Sequence, residues 1–63
     1  MNYRYLITFE HMGRDGRTHH NGATADISRA TPIRGAGDLS GVARDLARAT
    51  GFKHLTVTGF REL

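Results

Sequence analysis

The hydrophobic pattern of this chain changes period twice, and that limits what it can fold into. Tyr3, Tyr5, Ile7 and Phe9 alternate with Arg4, Leu6, Thr8 and Glu10. Leu39, Val42, Ala43, Leu46 and Ala47 then recur at helical spacing, and Leu55 and Val57 return to alternation. A period of two marks a half-buried strand, and a period near 3.6 marks an amphipathic helix. The first strand is expected over residues 3–11, the helix over 36–50 and the last strand over 53–63. A second strand lies between Gly16 and Ala30, after the turn-forming run Gly13-Arg14-Asp15-Gly16.

Strand, strand, helix, strand has one simple solution. The most apolar strand is central, the second pairs with it as a hairpin, and the helix crosses one face to bring the last strand back antiparallel to the first. The expected fold is α+β, with a three-stranded sheet of order 2-1-3 and one helix on one face. A three-residue loop, Arg14-Asp15-Gly16, would set Tyr3 opposite Ile27, Tyr5 opposite Ala25, Ile7 opposite Ala23 and Phe9 opposite Asn21. On the other face it would pair Arg4 with Asp26 and Glu10 with His20, and it would set His11 against His19. Asn21-Gly22 reads as a bulge or bend inside a long second strand. Gly51 followed by Phe52 fits a glycine helix cap. Gly41 weakens the helix and suggests close approach to the sheet.

Sixty-three residues make a single domain (1–63) that buries only about 60% of the surface of its unfolded chain. With no cysteine, neither disulfides nor thiolate metal sites are available, and a reducing, cytoplasmic setting is expected. Arg4 and Glu10 interrupt the first apolar run, so no signal peptide is expected, and no stretch is long enough to span a membrane. The charge is +3, with nine Lys+Arg against six Asp+Glu. Arginine suits phosphate, but a GC-rich genome gives the same bias.

Catalytic patterns are missing. Gly35-Ala36-Gly37 lacks the spacing and the lysine of a phosphate loop, and Ser28 and Ser40 have no base placed beside them. A two-layer domain of this size leaves little room for a pocket that excludes water. No enzyme activity, catalytic residue, small-molecule substrate, cofactor or resident metal is expected.

Three surfaces remain as candidates. The uncovered sheet face would carry Arg4, Leu6, Thr8, Thr56, Thr58 and Phe60, with Leu6 and Phe60 as an exposed apolar pair for a protein partner or a second copy. The edge of the second strand is open to another strand. The alternative is nucleic-acid (phosphate) binding through a basic end, where Arg14, Arg17, Arg48 and Lys53 would gather with His11, His19, His20 and His54. Mild acid would add up to four positive charges there. A metal shared by His11 and His19 has no third ligand, so a partly solvated histidine pair is expected.

The segments Tyr5-Leu6-Ile7-Thr8-Phe9, Pro32-Ile33 and Gly51-Phe52-Lys53-His54-Leu55-Thr56-Val57 resemble small uncharacterised proteins of actinobacteria and their mobile elements. The resemblance spans most of the chain. Its motifs are structural, and it implies no activity.

Overall fold

The computed structural model describes residues 2–63. Its elements are β1 (Tyr3–Met12), β2 (His19–Arg29), α1 (Ala36–Thr50) and β3 (Lys53–Glu62). The sheet order is β2-β1-β3, with β1 antiparallel to both neighbours. This is the expected α+β fold, and the helix has the expected bounds.

The alternation of β1 becomes a burial pattern. Tyr5, Ile7, Phe9 and His11 are buried beneath the helix layer, with Ile7 fully enclosed at 0% exposure. Ile33, Val42 and Leu46 complete the core, and Ala23, Ala25, Ile27, Leu39, Phe52, Leu55 and Val57 pack around it. The Tyr5 hydroxyl accepts a 2.9 Å hydrogen bond from the buried Ile33 N–H. That bond ties the connection between β2 and α1 to the central strand.

The hairpin register differs from expectation by two residues, in two steps. The Gly13 N–H donates to the Thr18 carbonyl at 2.6 Å, so the connection is one residue longer than the three-residue loop. His11 consequently faces His20, and Met12 faces His19. A bulge between Phe9 and His11 then takes up a second residue, with Gly22 at φ 70°. Beyond it Phe9 faces Ala23, Ile7 faces Ala25, Tyr5 faces Ile27 and Tyr3 faces Arg29. Two single-residue shifts cancel in side-chain parity, because alternation has a period of two. Ala23, Ala25 and Ile27 therefore keep their place on the core face. Arg4 faces Ser28 in this register, yet its guanidinium reaches diagonally to Asp26 Oδ2 at 2.6 Å.

The third strand carries two irregularities, one between Thr8 and Phe9 and one between Glu10 and Met12, near His54 at φ 51°. The first decides the phase of the chain end. Phe9 faces Val57, but Ile7 faces Phe60. Phe60 thus shares the face of Ile7 and meets Tyr5 edge-on at a ring separation of 6.0 Å. The expected placement of Phe60 beside Leu6 on the open face is corrected: the bulge at Thr58 turns it over.

The helix ends in a glycine cap, with Gly51 at φ 76° and its N–H on the Ala47 carbonyl. Gly41 does not serve close packing, because a Cβ built there meets nothing within 4 Å. Gly41→Ala is therefore expected to stabilise the domain by about 1 kcal/mol, through helix propensity alone. Tyr5→Phe is expected to cost about 1–3 kcal/mol, because it leaves the buried Ile33 N–H without its acceptor. Urea unfolding of both variants against the parent checks the two signs.

Candidate functional site

One cation of the basic end, Arg14, serves the fold itself. The last carbonyls of a helix lack intrahelical donors. Arg14 supplies two to Thr50, from Nε at 3.0 Å and from Nη2 at 2.9 Å. Its side chain also lies over Gly51, where a Cβ would come within 3.2 Å of Nε. Lys53 runs its stem past Gly16. Arg14, Arg17, Arg48 and Lys53 are all exposed; of the four, Arg14 has its guanidinium engaged at the helix terminus.

The histidines separate. His11 is 5% exposed and lies between Phe52, parallel at 3.7 Å, and His20, stacked at 4.9 Å. Its Nδ1 lies 3.0 Å from the Met12 carbonyl oxygen. A carbonyl only accepts, so Nδ1 carries the proton. The expected solvated His11–His19 pair is thus replaced by a buried ring stack containing His20. His19 instead lies 3.9 Å from Glu10. Among the described residues no group of three metal-ligating side chains occurs.

Asp15 holds the hairpin tip together. Its carboxylate accepts hydrogen bonds from the Arg17 and Thr18 backbone N–H groups and from the Thr18 hydroxyl. These donors hold its pKa below the ordinary 3.8. A depressed carboxyl contributes its stability above the unfolded-state value and loses it as pH falls through the folded-state value. The stability difference between the parent and Asp15→Asn should therefore be constant at neutral pH and shrink below pH 3.8. Denaturation curves at descending pH measure it.

On the open face Leu6 is half-buried between Asp26 and Arg61, and Thr8 lies between Thr24 and Gly59. The Thr58 hydroxyl is tied to the Thr8 carbonyl at 3.1 Å, Thr56 faces Glu10, and Arg4 is held by Asp26. Leu63 continues the β1–β3 ladder, with its N–H on the Arg4 carbonyl at 2.8 Å. Strand alternation places it on this face, and it is 55% exposed. The apolar partner of Leu6 on this face is therefore Leu63. Phe60, 45% exposed, belongs to the helix side.

The third surface is the outer edge of β2. Because Leu63 bonds to Arg4, the backbone polar groups of Arg4 point toward β3. Alternation then directs those of Tyr3, Tyr5, Ile7 and Phe9 toward β2, onto Arg29, Ile27, Ala25 and Ala23. The backbone groups of Thr24, Asp26 and Ser28 consequently point away from the sheet. The helix lies closer to β3 than to β2, which leaves a cleft of about 250 Å³ beside this edge. Ile27, Val42, Leu46 and Ala49 form its apolar lining, with Arg29 and Asp45 also bordering it. The opposite edge borders a cleft of about 230 Å³ between Leu39, Ala43, Leu55 and Val57, yet it differs in its backbone. Its strand is broken by two bulges and carries Lys53, Arg61 and Glu62, devices that discourage strand addition. Between Ala23 and Ser28, β2 has no bulge, no proline and one charged residue, Asp26, which Arg4 already holds.

No sequence signal short of the full register could identify Thr24, Asp26 and Ser28 as the outward residues, because the bulge at Gly22 decides the numbering. Comparison with family models, curated proteins and solved structures returned no match for this chain. Among the described residues no helix is long and apolar enough to cross a membrane.

Proposed function

We propose that this protein is a non-enzymatic protein-binding module that accepts an extended strand along the edge of β2. Affinity comes from main-chain hydrogen bonds to Thr24, Asp26 and Ser28. Side chains of the added strand on the helix side enter the cleft between β2 and α1. This is strand addition, in which backbone pairing supplies binding and adjacent pockets supply selectivity. The observation that carries the reading is the contrast between the backbones of the two sheet edges, one bulged and charged, the other regular from Ala23 to Ser28.

A non-enzymatic role is supported by the size of that cleft, which falls below the roughly 300–1,000 Å³ typical of small-molecule sites. The phosphate-binding reading has less support, because Arg14 is spent on the helix terminus.

Proline substitution tests the edge directly. Ser28→Pro removes an outward N–H that β1 does not use, and proline is tolerated on such edges. The variant is expected to stay folded by circular dichroism and to lose capture of extended peptides from a displayed library. Ala25→Pro removes an N–H that bonds to β1 and is expected to unfold the domain. Equal peptide capture by Ser28→Pro and the parent would refute the edge as the binding site.

A further inference from the structure

The buried row of β1 ends in a histidine that faces a second histidine. We propose that the stack of Phe52, His11 and His20 is a proton-sensitive latch, which holds the start of β3 to the hairpin while His11 is neutral and releases it in mild acid.

His11 is 5% exposed, with Phe52 at 3.7 Å and His20 at 4.9 Å. Its Nδ1 already carries a proton, donated to the Met12 carbonyl. A second proton would go to Nε2, which has no hydrogen-bond partner among the described residues. Burial disfavours the charged form. His20 is exposed and open to protonation first. Its charge then stands against the His11 ring, and like charges disfavour a further proton.

The neighbouring groups offset this little. On β1, Glu10 projects from the opposite face and lies beside His19. At the hairpin tip Asp15 is held by Arg17 and Thr18, and Arg14 lies over Gly51. On β3, Lys53 faces Met12 and runs past Gly16, and the exposed His54 lies at the irregularity opposite His11. The helix contributes Arg48 in its last turn. Two features favour a cation, the Phe52 ring face and the negative helix end. The Thr50 carbonyl at that end is already taken by Arg14.

Phe52 directly follows the Gly51 cap, so parting it from His11 frees the helix end and the start of β3 together. The strand is least regular there. Its pairing shifts between Glu10 and Met12, and His54 sits at φ 51°, in the left-handed region that residues other than glycine seldom adopt. Open and unfolded chains take up histidine protons near about pH 6.5. The closed stack binds fewer, so its stability is complete above that value and declines as pH falls below it.

Urea unfolding from about pH 8 to about pH 5 tests the latch. The parent is expected to lose about tenfold in its folded-to-unfolded ratio per pH unit below about pH 6.5 for each proton excluded. His11→Phe keeps a ring in the stack and should remove most of that slope. His20→Gln leaves burial alone to exclude the proton and should make the loss smaller. NMR of the parent needs no substitution. His11 should gain its second proton only as its contacts to Phe52 disappear and the Gly51 and Phe52 amides, bonded to Ala47 and Thr50, lose protection from exchange. A His11 imidazolium that keeps its Phe52 contacts overturns the proposal. So does a parent whose stability holds through this range, or an acid slope in His11→Phe equal to the parent's.

Discussion

Burial of one face of β1 is the constraint on which the rest of this structure depends. Tyr5, Ile7, Phe9 and His11 project from a single strand into a thin two-layer core. In a domain this small, little other apolar surface compensates for losing any of them. The helix must cover that row, both neighbouring strands must supply flanking apolar groups, and the connection into α1 must pass near Tyr5. Each requirement has a visible counterpart: Val42 and Leu46 above the row, Ala25 and Ile27 beside it, and the Tyr5–Ile33 hydrogen bond at the entry to the helix.

The row ends in a histidine where an apolar residue would be expected. His11 is accommodated because it is used as a flat ring, packed between Phe52 and His20. Its protonated nitrogen is turned to the Met12 carbonyl. The His11 ring lies near parallel to Phe52, 3.7 Å away, and 4.9 Å from His20. Phe52 reaches this position because Gly51 turns the chain through a left-handed cap directly after the helix. The helix cap, the histidine stack and the start of β3 thus form one structural unit. Arg14 closes it from the hairpin tip, so this one charge of the basic end serves the scaffold.

Much of the fold was legible in residue order, and the exceptions share a cause. Alternation and helical spacing identified the strands, the helix and the central position of β1, and Gly51 marked the helix end. The candidate site was less legible. Residue order sets Phe60 on the open face, whereas the Thr58 bulge turns it to the helix side, and a bulge is a property of two paired strands. His11 faces His20 and not His19, because the Asp15 carboxylate closes a longer loop than the glycine spacing suggests. The core-face residues of β2 remained correct, since two single-residue shifts restore parity.

Residue order by itself determined which side of each element is apolar, because side-chain direction follows from backbone period alone. It also determined the number and order of the elements. Only the tertiary structure decided which β2 backbone groups remain unpaired, which face holds Phe60, and that the helix leans toward β3 and leaves a cleft beside β2. Those outcomes depend on how two strands align and where a third element comes to rest. A single bulge changes them while leaving the pattern of residue types untouched.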